Sequence, residues 1–250
     1  MEIDTKVPIW YTVSVNKKEE KDMKNFKKII ALLIAVLTVV GVFAVPATVS
    51  AEEVDEIQEP IVARMYLGHK PRNYNMSGHT WIYIENLTNH DIQVGAFTVK
   101  KGKGVSTGTY GTQINDGKGL YYNVEAWRYK NSDPESYYYL YKDLTQSQLE
   151  KVSSRILMAG TWSYILNCGY YALGIWNCVP GKTIMFLVWP FLTQVQMLMD
   201  PDCSTGFPMI KPKKTDCYKQ IGTGNQAYLI QVDPTNPKEV KEDATTAPAN

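Results

Sequence analysis

A histidine and a cysteine stand at positions where their side chains could form a nucleophilic pair. His79 opens a segment of aromatic and β-branched residues that is typical of a β-strand, and Cys168 follows Asn167 at the start of an apolar helical segment. At a helix N-terminus, a thiolate is stabilised by the helix dipole and by free backbone N–H groups. An imidazole nearby can take the thiol proton and return it to a leaving group. The pair therefore predicts acyl-transfer chemistry, with the Cys168 N–H as an oxyanion donor.

The elements that must position this pair read as strands followed by helices. Four stretches rich in aromatic and β-branched residues predict an antiparallel meander: 80–85, 91–99, 105–110 and 120–129. Apolar residues at helical spacing predict three helices: one from 143 or 145, one from Cys168, and one over about 190–199. Thr145 and Gln148 match a capping box at the first of these helices. A closing strand is expected over 225–232.

The order of the two motifs resembles the circularly permuted branch of the NlpC/P60 superfamily of papain-like cysteine hydrolases. In that branch the histidine strand precedes the cysteine helix. Residues 78–84 (GHTWIYI) are similar to the histidine strand of those families, and residues 167–172 (NCGYYA) resemble their nucleophile helix, within a match of about residues 75–200. The resemblance implies an α+β, papain-like fold in which an antiparallel meander packs against the nucleophile-bearing helix.

The same resemblance implies a function. We expect a secreted cysteine hydrolase that cleaves an amide bond, with Cys168 as the nucleophile and His79 as the general base and acid. Papain-like secreted relatives often act on peptidoglycan stem peptides, so a cell-wall peptide is the first substrate class to consider and another extracellular amide the second. Permuted relatives also include acyltransferases. We expect neither a cofactor nor a metal ion.

The residue that orients the imidazole is expected, from the family pattern, on the strand after the histidine strand. If a turn centres on residues 87–88, His79 lies opposite Ala96, and His90 lies about 20 Å away along the strand. Gln93 is closer and could accept a hydrogen bond from an imidazole N–H, given a bulge or a one-residue register shift. Gln93 is therefore our candidate in preference to His90.

The four cysteines leave structural alternatives open. Free cysteine is among the most buried residue types, so Cys168 could be a core residue or the disulfide partner of Cys203 or Cys217. A bridge between Cys203 and Cys217 would close a loop rich in Gly, Pro and Lys. Cys168 and Cys178, ten residues apart on one helix, would lie about 15 Å apart and could not bridge. The spacings match no zinc signature.

Other residues are expected to have structural roles. His69 lies in a turn-like stretch and is expected to be solvated, and Glu125 is expected to be an exposed or paired carboxylate on a strand.

A non-catalytic extracellular binding module with the same fold is the alternative to an enzyme, because the third site residue is weakly indicated and aromatic residues are abundant.

Residues 23–51 have the parts of an export signal. Three lysines precede an apolar run over 29–45, and Val-Ser-Ala at 49–51 precedes acidic residues. A membrane anchor is the alternative, since the run approaches the roughly 17–25 residues that span a bilayer. Pro46 and the small residues favour cleavage after Ala51. We therefore expect a secreted, extracellular protein that meets the membrane only through this signal.

The organisation of the chain follows from that signal. We expect five segments: a polar extension or mis-assigned start over 1–22, the signal peptide over 23–51, a lead-in over 52–74, the permuted papain-like domain over 75–232 and a disordered tail over 233–250.

After residue 51, 19 Lys+Arg oppose 20 Asp+Glu. No basic excess remains, so nucleic acid and anionic membrane surfaces are poor candidate partners.

Overall fold

The structure is a computed structural model that describes residues 59–71, 78–110, 119–129, 137–160, 167–186 and 190–235. The predicted extension, the predicted signal peptide and the tail beyond residue 235 lie outside the described residues. Within these ranges the protein has an α+β fold, with a mostly antiparallel sheet and few helices. Of the helices in the described ranges, none is both long and apolar enough to cross a membrane.

The described residues form two sheets and four α-helices. The strands are β1 (Ile61–Lys70), β2 (His79–Asn86), β3 (Ile92–Val94), β4 (Phe97–Val99), β5 (Gly104–Tyr110), β6 (Gly119–Tyr122), β7 (Tyr138–Thr145), β8 (Ser204–Thr205), β9 (Tyr218–Ile221) and β10 (Tyr228–Gln231). The helices are α1 (Val124–Tyr129), α2 (Gln146–Leu157), α3 (Cys168–Trp176) and α4 (Pro190–Leu198). The larger sheet has the order β10-β9-β6-β5-β2-β1-β7-β8, and among the described strands β3 pairs only with β4.

Both faces of the central strands are covered, so β1 and β2 are buried almost continuously instead of in alternation. On one face, Ile82 and Ile84 of β2 belong to the same core as apolar residues of α2 and α3. On the other face, Trp81 and Tyr83 pack in an aromatic cluster with Phe207. His79 lies at the first position of this doubly covered strand.

Two helix starts have side-chain caps, and the one at Thr145 is the capping box that the sequence predicts. Thr145 accepts a hydrogen bond from the Gln148 backbone N–H, and the Gln148 side chain accepts one from the Thr145 N–H, which confirms the capping box. Asn167 caps α3 by accepting from the Tyr170 N–H. The cap places Cys168 in the first turn of α3, as expected from the sequence.

The predicted hairpin between the histidine strand and residues 91–99 is wrong. β2 lies between β1 and β5, so both of its edges are already paired. Residues 91–99 instead fold back on themselves as β3 and β4. The Asn86 side chain closes this excursion by donating to the carbonyl oxygens of His90 and Val99.

Two further boundaries differ from the sequence prediction. β1 lies inside the predicted lead-in over 52–74, yet it is a central strand that pairs with both β2 and β7. The predicted strand over 120–129 is a strand only to Tyr122 and continues as α1. Asn123 separates the two elements, with a φ of 65°. Asparagine tolerates this left-handed backbone better than most residues.

All four cysteines are free, so neither a bridge between Cys203 and Cys217 nor one from Cys168 to either of them is formed. Cys203 precedes β8 at one edge of the large sheet, whereas Cys217 precedes β9 near the opposite edge. Six strand spacings of about 4.8 Å separate those strands, which amounts to roughly 30 Å. A disulfide needs Cα atoms within about 7 Å. The loop between the two cysteines crosses the sheet instead of closing on itself.

Candidate active site

The structure brings Cys168 and His79 together. Helix α3 packs against β2, and its first residue lies beside the first residue of that strand. A side-chain hydrogen bond joins the Cys168 sulfur to His79, and the backbone N–H groups of Thr80 and Gly169 donate to the same sulfur. Cys168 is 8% exposed. The thiol is thus held by one imidazole and two amides, all of which favour its negative form.

The two groups shift each other's titration. Burial alone would raise the pKa of the Cys168 thiol, but the charge of His79 and the hydrogen bonds from His79, Thr80 and Gly169 outweigh it, so this pKa lies below its ordinary value. Burial likewise opposes protonation of His79, but Tyr129, Cys168 and Glu125 favour it, and the pKa of His79 lies well above 6.5. The arrangement favours a thiolate–imidazolium pair near neutral pH.

Glu125 is the carboxylate at the back of the imidazole. Its Oε1 lies 3.4 Å from His79 Nε2, and its side chain is completely buried. Ser106 Oγ donates to Glu125 Oε2 at 3.0 Å, and in turn accepts from the Ala126 N–H. The carboxylate is therefore fixed by its own helix and by β5. With Nε2 facing Glu125, Nδ1 is the ring nitrogen left to exchange a proton with the sulfur.

Gly108 provides the space that the Glu125 carboxylate occupies. A Cβ atom at residue 108 would lie 1.8 Å from Glu125 Oε1. Gly108 is on β5, the strand that pairs with β2 on the side away from β1. A side chain from α1 thus reaches over the neighbouring strand and takes the place where a residue of that strand would otherwise orient the histidine.

The structure does not bring Gln93 to the site. Gln93 Nε2 donates to the Gly95 carbonyl oxygen, and Gln93 Oε1 accepts from Thr98 Oγ1, each at 3.0 Å. Both partners lie in the small β3–β4 unit, which does not pair with β2. The expectation that Gln93 orients His79 is therefore corrected in favour of Glu125. His90 is exposed and its ring forms a hydrogen bond with the neighbouring Asn89 side chain, which agrees with the preference against His90 as the orienting residue.

Aromatic rings surround the imidazole. Tyr110 stacks on it at a centroid distance of 4.7 Å, Trp81 at 5.8 Å, and the Tyr129 ring lies 6.0 Å away at a tilt. The His79 side chain is 15% exposed. These rings restrict the orientation of His79 and limit the access of water, which strengthens the electrostatic coupling within the pair.

His69 is buried, contrary to the expectation that it is solvated. It lies on β1 opposite Thr80, and its Nδ1 is 3.0 Å from Thr80 Oγ1. Burial, together with the charge of His79, lowers the pKa of His69 to about 4. His69 is therefore neutral at physiological pH. His69 thus contacts the side chain of Thr80, the residue whose backbone N–H donates to the Cys168 sulfur.

Comparison with known proteins gives no further guide: no protein-family model, no curated protein and no solved structure matches the chain. Within the described ranges, no three His, Cys, Asp or Glu side chains are arranged to share a metal ion. The functional assignment therefore depends on the chemistry of the pair and of the carboxylate behind it.

Proposed function

We propose that the protein is a secreted cysteine hydrolase of the circularly permuted NlpC/P60 type and that it cleaves an amide bond. Cys168 is the nucleophile, His79 is the general base and acid, and Glu125 orients the imidazole in the role first given to Gln93. The observation that carries the proposal is the hydrogen-bonded Cys168–His79 pair at the start of α3, with a buried carboxylate 3.4 Å behind the histidine.

The reaction proceeds in two steps, acylation of Cys168 and hydrolysis of the thioester. The Cys168 thiolate attacks the amide carbonyl carbon and forms the C–S bond, while the carbonyl oxygen gains negative charge and accepts from the Cys168 N–H. His79 then gives its proton to the departing nitrogen as the C–N bond breaks. In the second step, water loses a proton to His79 and attacks the thioester. The acid product leaves, and the thiolate–imidazolium pair is restored.

The substrate class proposed first is a cell-wall peptide. The resemblance to secreted papain-like enzymes and the predicted export signal support it, and the geometry supports only the acyl-transfer chemistry. The direct assay is the release of amino groups from soluble peptidoglycan fragments by a protein that begins at Glu52. Cys168→Ser should be inactive and folded, since a serine hydroxyl is not ionised at neutral pH.

Selective alkylation tests the nucleophile without knowledge of the substrate. Burial raises the pKa of Cys178, of Cys203 and, to about 12, of Cys217, whereas the pKa of Cys168 is lowered. Iodoacetamide near pH 6.5, without reductant, should therefore modify Cys168 before the three other cysteines. Peptide mapping identifies the modified residue. Faster labelling of Cys178 or Cys203, both more exposed than Cys168, would contradict the proposal and favour a non-catalytic binding module.

A second candidate function is acyl transfer from a lipid by the same cysteine. A group of apolar side chains on and around α3 and α4 favours it because all are exposed: Tyr170, Met185, Phe186, Leu198 and Met199. Exposed apolar surfaces of this kind can accept an acyl chain or a membrane. Incubation with phospholipid vesicles and mass spectrometry separates the candidates, since a lipid substrate leaves an acyl group on Cys168. The hydrolase proposal predicts no such adduct.

A further inference from the structure

Two cationic side chains lie one aromatic ring away from His79. Lys70 Nζ is 4.8 Å from the centroid of the Tyr129 ring, which is itself 6.0 Å from the imidazole. Arg128 Cζ is 5.9 Å from the centroid of the Tyr110 ring, which stacks on the imidazole at 4.7 Å. Lys70 is also the residue opposite His79 in the β1–β2 ladder. The two cations come from different elements, and each contacts one of two rings that flank His79.

The charges of these two residues are not neutralised by a carboxylate of the described residues. Four other cations of the described residues form salt bridges, namely Arg64, Lys100, Lys182 and Lys214. Lys70 and Arg128 instead contact aromatic rings, and such contacts hold a cation in place without cancelling its charge. The carboxylate of Glu125 faces His79 and Ser106.

This positive rim contrasts with the rest of the protein. The chain after residue 51 has nearly equal numbers of acidic and basic residues. A local excess of positive charge beside a partly buried nucleophile raises the concentration of anions there and orients them. Arginine and lysine also form the strong, charge-assisted hydrogen bonds that bind carboxylates.

We infer that the substrate carries a free carboxylate close to its scissile amide and that Lys70 and Arg128 bind this carboxylate. The inference rests on the proposed function, because it concerns the substrate of the Cys168–His79 pair. It names Lys70 and Arg128 as specificity residues and a peptide with an acidic group beside the cleaved bond as the substrate class. A neutral peptide of the same length should be a poorer substrate.

Two small alkylating reagents test the inference. Iodoacetate and iodoacetamide are similar in size, and only iodoacetate carries a negative charge. The rate of Cys168 alkylation by iodoacetate divided by the rate with iodoacetamide therefore reports the local electric field. In the double variant Lys70→Gln/Arg128→Gln this ratio should fall about 3- to 10-fold at low salt, the effect expected of two charges roughly 10 Å away in a partly screened site. High salt should reduce the wild-type ratio as well.

Matched variants separate charge from structure. Lys101→Gln removes an exposed lysine beyond the other end of β5 and should keep the wild-type ratio. Lys70→Arg and Arg128→Lys should keep most of it, because the charge remains. Arg128 is exposed, so Arg128→Gln alone decides the outcome if substitution of Lys70 lowers the melting temperature.

The possible failures are distinguishable. If neither reagent modifies Cys168, the proposed function is wrong and the inference falls with it. If iodoacetamide modifies Cys168 selectively but the ratio is unchanged in the double variant and in Arg128→Gln, the inference alone is overturned. A fall of the ratio in those variants and not in Lys101→Gln supports it.

Discussion

Glu125 Oε1 lies 3.4 Å from His79 Nε2 although the two residues are 46 positions apart in the chain. The contact depends on the turn at Asn123, which ends β6 and starts α1 so that Glu125 points back across β5. It also depends on Gly108, which leaves room for the carboxylate. A buried negative charge at this position favours the imidazolium and, through it, the thiolate.

Glu125→Gln tests this relationship with little change of shape. Without the negative charge, the pKa of His79 should fall and the pKa of Cys168 should rise. The alkylation of Cys168 by iodoacetamide should then require a higher pH than in the wild type, and turnover should fall about 100-fold. Glu150→Gln, on the exposed face of α2, is the control and should leave both unchanged. An unchanged alkylation profile in Glu125→Gln would exclude Glu125 as the orienting residue.

The pH dependence of turnover should differ from that of alkylation. Alkylation needs only the thiolate, so its rate should rise through the Cys168 pKa, which lies below the ordinary thiol value, and then stay level. Turnover also needs the proton of His79, so it should fall again above the His79 pKa, which lies well above 6.5. A rising and falling turnover profile beside a level alkylation profile is the expected result. A fall of both rates at high pH would contradict these roles.

The local features of the site could be predicted from the sequence. The strand that starts at His79, the helix that starts at Cys168 and the capping box at Thr145 are confirmed. Each depends on residues close together in the chain: alternation of β-branched and aromatic residues, or a cap followed by apolar residues at helical spacing. Such signals need no knowledge of the partner element.

The orienting residue could not be predicted in the same way. The choice of Gln93 as the orienting residue assumed that β2 pairs with the next segment of the chain. Sequence alone does not show that β1 and β5 occupy both edges of β2. Residues 120–129 were too short for periodicity to separate strand from helix. Asn123, a residue that tolerates the left-handed backbone, was the one local signal of a break before Glu125.

Gly108→Ala should reproduce the loss of Glu125 without changing that residue. The new Cβ would lie 1.8 Å from Glu125 Oε1, so the carboxylate must move away from His79. We expect turnover to fall as in Glu125→Gln and the free energy of unfolding in urea to fall by about 1–3 kcal/mol.

Gly174→Ala is the matched control for that substitution. Residue 174 lies inside α3, and a Cβ there meets no atom within 4 Å. The change should raise the free energy of unfolding by about 0.5–1 kcal/mol, because glycine is a poor helix former, and it should leave turnover unchanged. Full activity in Gly108→Ala would show that the position of the Glu125 carboxylate is not needed.

His69 should make the protein sensitive to acid. Its pKa is about 4 in the folded protein because it is buried, against about 6.5 when it is solvated. Between these values the unfolded chain binds a proton that the folded protein does not, so the stability supplied by neutral His69 is complete above pH 6.5 and is lost as the pH falls towards 4. The loss should amount to roughly 3 kcal/mol. Urea unfolding at a series of pH values measures it.

His69→Gln isolates that contribution, since carboxylates elsewhere titrate over part of the same range and affect both proteins alike. The glutamine can keep a hydrogen bond to Thr80 but takes up no proton. We expect the variant to be less stable than the wild type at pH 7 and to lose less stability between pH 6.5 and pH 4. Parallel stability curves for the two proteins would mean that His69 is solvated after all. If the stability curves of the two proteins converge at low pH, His69 is buried and neutral above that range. It then lies directly behind Thr80, the residue whose backbone N–H donates to the Cys168 thiolate.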